Sequence, residues 1–143
     1  MKLLKELSAD GKIAYLIKPI LKVLQAAGGQ LERSEIKERI ADMDDQIADY
    51  AELEKKSKKT GNTYKEFNFK FNFAIKDLYF MGLLTYTDTS PITLTEKGLY
   101  IDVDALDVQK DVIEASKVHW EELSKNNKKN KVVDVTDSEE ETQ

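Results

Sequence analysis

A mainly α-helical fold with one small β-hairpin is predicted by three observations. Apolar residues recur at helical spacing in residues 13–27, 67–81 and 103–124; residues 84–94 alternate around a turn; and a polar stretch from Lys125 ends in acids. A chain of 143 residues suits one domain plus an appendage. Zero cysteines exclude disulfides, thiolate zinc sites and cysteine nucleophiles, and fit a reducing, cytoplasmic setting. The start, MKLLKELSADGK, has acidic and polar residues where a signal peptide needs an apolar stretch, and no run approaches membrane-spanning length. A soluble protein with no membrane partner is expected.

In the first element, IAYLIKPILKVLQAA (13–27), Ile13, Leu16, Ile17, Ile20, Leu21 and Leu24 share one helical face. Pro19 lacks a backbone donor, so the main helix is expected to begin near Lys18 or Pro19, or to kink there, and Gly28-Gly29 to stop it. Ser34 is the expected N-cap of a second helix, SEIKERIADM, with Ile36, Ile40 and Met43 inward. Asp44 and Asp45 can cap a short third helix with Ile47, Tyr50 and Leu53 on its inner face. EKKSKKTGN then reads as a solvated loop, because lysine repulsion combines with Ser, Gly and Asn.

The stretch TYKEFNFKFNFAIKDLYFMGLL (63–84) has a phenylalanine at every second position from Phe67 to Phe73, which is strand spacing. As a strand, however, it would run far beyond the usual five or six residues. At about 100° per residue, Phe67, Phe71, Ala74, Ile75, Leu78 and Met81 fall on one broad face. Lys65, Asn68, Asn72 and Lys76 form a separate polar row with Tyr79 at its edge, and Phe69, Phe73 and Phe80 make a narrower apolar strip. The helix accounts for more of the residues. It is predicted over 64–82, ending at Gly82.

LLTYTDTSPITLTEKG alternates as a hairpin with its turn at Asp88 to Pro91, closed by Gly98. Residues 103–124 return to helical spacing, with Leu106, Ile113 and Trp120 one heptad apart and Val112, Ser116 and Leu123 beside them. Beyond Lys125 too few apolar residues remain to pack. The organisation expected is a domain over 1–101, a C-terminal helix over 102–124 and a disordered acidic tail over 125–143. Helix, helix, short helix, long helix, hairpin is the order of a winged helix-turn-helix domain, in which the long helix enters the DNA major groove and the hairpin, or wing, touches the backbone.

Three segments also resemble the N-terminal winged helix domain of Mrr-type restriction endonucleases: GGQLERSEIKERI (28–40), FNFKFNFAIKDLYFMGLL (67–84) and ITLTEKG (92–98). The family's glycine pair before an E-I helix falls at Gly28, Gly29, Glu35 and Ile36. Its aromatic-alanine step with a small-Gly-Leu ending falls at Phe73, Ala74, Leu78, Gly82 and Leu83, and its wing close at Leu94, Thr95 and Gly98. Phe73 replaces the usual tryptophan and Met81 stands where alanine is common. The resemblance spans residues 15–101, implies a DNA-binding fold, and leaves no residues for the nuclease half, so no catalysis is expected.

The formal charge of −5 at first argues against a nucleic-acid partner, yet residues 54–76 carry seven lysines against two glutamates, while residues 99–143 carry six lysines against twelve acids. Local charge is what a phosphate backbone feels. The expected base-reading row is Lys65, Asn68, Asn72 and Lys76, since asparagine pairs with adenine and lysine reaches guanine or phosphate; the plain alternative is a solvated face. Lys55, Lys56, Lys58 and Lys59 are expected to clamp phosphates, or merely to solubilise their loop. Thr87, Thr89 and Ser90 at the wing tip suit a turn as well as a phosphate. The Phe69, Phe73 and Phe80 strip is expected to pack under the first or last helix, with a stacking platform for single-stranded bases as the sharper alternative.

His119 has no companion ligands, so neither a metal nor another cofactor is expected. Glu35 with Lys37, and Glu54 with Lys56, echo nuclease triplets without the aspartate such sites need. The seam of the last helix can fold back on the domain or pair with a second copy, and a homodimer through that helix is expected. The reading is a non-enzymatic, duplex-DNA-binding regulator or mobile-element accessory factor, against a winged helix protein-interaction adaptor. In a third arrangement, the acidic tail folds over the basic loop as an autoinhibitor.

Overall fold

The computed structural model describes residues 3–87 and 90–130, with side chains through residue 124. α1 spans Ala9–Ala26, ten residues before the start that Pro19 suggested. Ser8 Oγ accepts from Gly11 N at 3.1 Å, and Ile13, Leu16 and Ile17, all ahead of the proline, are buried. Burying such side chains contributes roughly 1.5–3 kcal/mol each, which offsets the roughly 3 kcal/mol that an interior proline costs a helix. Packing overrides the local breaker. The helix then ends as expected: Gly28 and Gly29 hold φ of 88° and 109°, and Gly29 N donates to Leu24 O at 2.8 Å in a Schellman closure.

Gln30–Leu31 follow as β1, a strand too short for any periodicity to announce. α2 covers Arg33–Met43 with Glu32 at its N-cap, not Ser34, and no side-chain cap at all; burial of Ile36 and Ile40 sets its place. α3 covers Asp45–Glu52, and Asp44 Oδ1 accepts from Gln46 N at 2.8 Å. Ile47 and Tyr50 face inward, whereas Leu53 lies beyond the helix end in extended backbone and is exposed. Met43, at the end of α2, is exposed as well.

The lysine-rich segment is a hairpin rather than an open loop. β2 (Lys55–Lys56) pairs antiparallel with β3 (Thr63–Tyr64), and Ser57 N and Asn62 O join across the tip at 2.8 Å. α4 then runs over Glu66–Phe80 with Phe67, Phe71, Ala74, Ile75 and Leu78 buried. A second Schellman closure, Leu83 N to Leu78 O at 3.0 Å with Gly82 at φ 74°, ends it two residues before the expected glycine. α4 makes its largest helix contact with α1, whose Leu16, Ile17, Ile20, Leu21 and Leu24 are inaccessible to solvent. These two faces are the core.

β4 (Leu84–Thr85) and β5 (Ile92–Leu94) form the wing, and β1 pairs with the outer side of β5, giving an antiparallel sheet ordered β1-β5-β4. With α1, α2 and α4, this sheet is compatible with the expected winged helix-turn-helix order, and α3 and the β2–β3 hairpin lie between α2 and α4 in the chain. Thr95 explains the LTEKG close. Its Oγ1 donates to Gly82 O at 2.6 Å and accepts from Gly98 N at 3.2 Å, capping α5 (Glu96–Tyr100) while tying the wing to the end of α4. Thr89 lies outside the described residues, as do residues 131–143, for which disorder and autoinhibition were expected.

A π-helical turn, Gln109–Glu114, leads into α6 (Ala115–Asn130), whose last six residues, 125–130, were expected to belong to the tail. Val112, Ile113 and Ser116 are buried against the domain.

Glycine at 98 is a packing requirement, since a Cβ there would stand 2.0 Å from the carbonyl oxygen of Leu83. Gly98→Ala is therefore expected to cost at least about 1–3 kcal/mol, read as a lower thermal midpoint than in a Lys97→Ala control. Equal midpoints would contradict the close contact.

Candidate nucleic-acid interface

The exposed side of α4 lies between two hairpins, β2–β3 joined to its N-terminus and the wing to its C-terminus. Both ends are anchored. Glu66, the first residue of the helix, is buried and accepts Lys12 Nζ at 2.7 Å together with hydrogen bonds from Lys55 Nζ and Tyr50 OH. Burial by itself would raise the pKa of this carboxyl, but the donors from Lys12, Lys55 and Tyr50 and the charge of Lys12 hold it down to about 2. At the other end Tyr79 meets Tyr86 of the wing edge-on, with centroids 5.4 Å apart.

Between these anchors Asn68 and Asn72 are exposed, while Lys65 and Lys76 are half-buried. The structure thus puts both asparagines of the expected row in solvent on one face, with Tyr79, 46 % exposed, in line with them. Lys65 is the N-cap residue of α4. Lys76 leans the other way, its Nζ 5.8 Å from the ring centre of Trp120.

Two cations that the sequence reading passed over border this row. Arg33 Nη1 donates to Asn72 Oδ1 at 2.9 Å, and Lys37 Nζ donates to Asn68 Oδ1 at 3.2 Å. The Arg33 guanidinium also lies over the Tyr86 ring at 5.1 Å, so one side chain touches α2, α4 and the wing. Lys37 covers Phe71 at 5.1 Å; burial first, and the Arg33 charge second, lower its pKa. Their i, i+4 spacing on α2 was the available signal.

The four hairpin lysines divide. Lys55 turns to Glu66, whereas Lys56, Lys58 and Lys59 are exposed along β2 and the hairpin tip. Lys70 is buried on α4, with its Nζ 5.8 Å from the Phe73 ring. The basic segment therefore exposes less charge than its composition implied. At the wing tip Thr87 and Ser90 bond to each other through hydroxyls 2.7 Å apart, which is turn-building work.

The opposite flank of α4 is covered by α6. Phe73 and Phe80 pack edge-on to Trp120 at 5.4 and 5.5 Å, His119 stacks on Phe80 at 4.9 Å, and Phe69 meets Tyr64. Phe69, Phe73 and Phe80 are each half-buried and engaged in these ring contacts. Trp120 Nε1 donates to Asp77 Oδ1 at 2.5 Å, so the seam expected to pair with a second copy is seated on its own domain at Ile113, Ser116 and Trp120. Asp77 is itself buried, and burial pushes its pKa to about 6 against the opposing hydrogen bonds from Trp120 and Ser116, with the Asp10 charge raising it further.

Among the described residues no three His, Cys, Asp or Glu side chains gather where they could hold a metal ion. None of the described helices is long and apolar enough to cross a membrane. The fold is mainly α-helical with small antiparallel sheets, and it presents its long helix between two hairpins. The chain belongs to the Mrr N-terminal domain family, whose model matches residues 14–103, from the first turns of α1 to just beyond α5. Searches of curated proteins and of solved structures give no significant match.

The two buried carboxyls predict opposite pH responses. Asp77, raised from 3.8 to about 6, contributes stability that is complete below about pH 4 and lost as pH rises through about 6. Glu66, lowered from 4.5 to about 2, contributes stability present above about pH 4.5 and lost as pH falls toward 2. Asp77→Asn should flatten the thermal midpoint between about pH 4 and 6 and leave the acid limb unchanged. A variant curve parallel to wild type over that window would contradict the assignment.

Proposed function

We propose that the protein is a non-enzymatic, duplex-DNA-binding factor of winged helix type, acting in the cytoplasm as a small transcriptional regulator or mobile-element accessory factor. The observation that carries the reading is the exposed Asn68, Asn72 and Tyr79 row on α4, bordered by Arg33 and Lys37. A helix of this kind fits a major groove about 12 Å wide, and membership of the Mrr N-terminal family supports the same class. Lys56, Lys58 and Lys59 would meet phosphates beside the N-terminal end of the helix, and the wing those beyond its C-terminal end. A homodimer through the C-terminal helix would use its outward side, where Val118 is 59 % exposed, because the inward seam is taken.

The second reading is a protein-interaction adaptor, for which the exposed Tyr100 offers one contact point away from α4. A stoichiometric protein partner recovered from host extract without nucleic acid would favour that adaptor.

For the DNA reading, two outcomes are expected from fluorescence anisotropy on duplex fragments. Asn68→Ala and Asn72→Ala should weaken binding while changing folding stability by no more than about 0.5 kcal/mol, as befits exposed positions. Changing Lys56, Lys58 and Lys59 together to Ala should weaken binding to all sequences alike and reduce the log-log salt slope by roughly 2–3. No detectable binding to pooled genomic fragments at low salt would overturn the proposal.

A further inference from the structure

An asparagine amide carries one acceptor oxygen and one donor nitrogen, and its bidentate pairing with adenine uses both, the oxygen accepting from N6 and the nitrogen donating to N7. In this structure the oxygens are already directed elsewhere. Asn72 Oδ1 receives Arg33 and Asn68 Oδ1 receives Lys37. Guanidinium and ammonium groups have no acceptor, so each amide can lie only one way round: oxygen toward α2, nitrogen away from it. Arg33 is itself held by the Tyr86 ring of the wing, and Lys37 by the Phe71 ring, so the two locks rest on fixed elements.

We infer that Arg33 and Lys37 are positioning residues that turn the α4 row into a donor-only reading face, selective for guanine over adenine in the major groove. The inference rests on the duplex-DNA reading and refines it. Beyond the two amide nitrogens, the row adds the ammonium group of Lys65, a donor too, whereas Lys76 leans toward Trp120 and away from this face. Guanine offers two adjacent acceptors, N7 and O6. Adenine replaces the second with an amino donor, which would oppose the amide nitrogen, while the oxygen that could accept from it is directed toward α2 and already carries one hydrogen bond. Discrimination therefore comes from α2, one helix away from the bases, through the orientation that it imposes on α4.

The test is selection of bound sequences from random duplex DNA, followed by affinity measurements on the selected site. Wild type is expected to enrich guanine at two positions within one groove, and a guanine-to-adenine change at either should weaken binding on the order of 10- to 100-fold. Arg33→Met with Lys37→Met keeps the apolar stems but frees both amide oxygens. This double variant is expected to lose at least about five-fold of the guanine-over-adenine ratio even where its overall affinity falls. Enrichment of adenine by wild type, or strong binding without base preference, would overturn this inference and leave DNA binding standing. Absence of any binding by folded wild type would overturn both. The base-substitution arm needs no protein variant, so misfolding of the double variant cannot rescue the idea.

Discussion

Burial of Phe67, Phe71, Ala74, Ile75 and Leu78 against α1 fixes the rotation of α4 about its own axis, and the outward row follows from that rotation. On a helix these positions occupy one side, which leaves Asn68, Asn72 and Tyr79 on the other. Turning α4 by a single residue would withdraw two phenylalanines from the core, at roughly 1.5–3 kcal/mol each. The surface is therefore held by the interior. The Glu66 cluster and the Thr95 bridge fix its two ends in the same way, by burying a charge with its donors and by closing a cap onto the preceding turn.

α2 and α6 then divide the flanks of α4 between polar and apolar work. On one side Arg33 and Lys37 meet amide oxygens at the solvent edge; on the other Trp120 and His119 cover Phe73 and Phe80. A cation beside an amide keeps that amide ordered in water, where a free side chain would sample several rotamers. Pre-ordering of this kind lowers the entropy lost on binding. The family match stops at residue 103, ahead of α6, so the Trp120 to Asp77 contact is an addition to the matched domain that braces the long helix from behind.

Long, strongly patterned elements were legible in the sequence. The switch from strand spacing to helical spacing in residues 63–84 resolved correctly because only a helix gathers its apolar residues into one face, and the hairpin at 84–94 declared itself by alternation. What escaped was short or tertiary. β1 has two residues, too few for a period, and β2–β3 is a short hairpin whose first strand and tip are lysine-rich, so that repulsion reads locally as a loop. Pro19 is a breaker by local chemistry alone, and the burial that outweighs it comes from tertiary packing. Within the row, the exposure of the asparagines could be read from spacing, but the bonds from Arg33 and Lys37 join residues more than thirty positions apart, and no helical period on α4 reports them.

The most direct measurement is a nitrogen-15 NMR titration of the folded protein with a duplex that it binds, following the side-chain amides of Asn68 and Asn72. The expected result is that these two signals, with the backbone of α4 and the wing, shift first and most, while signals from the outer side of α6 stay in place. Shifts confined to α6 or to the region around Tyr100, with both asparagine amides unmoved, would contradict a DNA-reading role for α4.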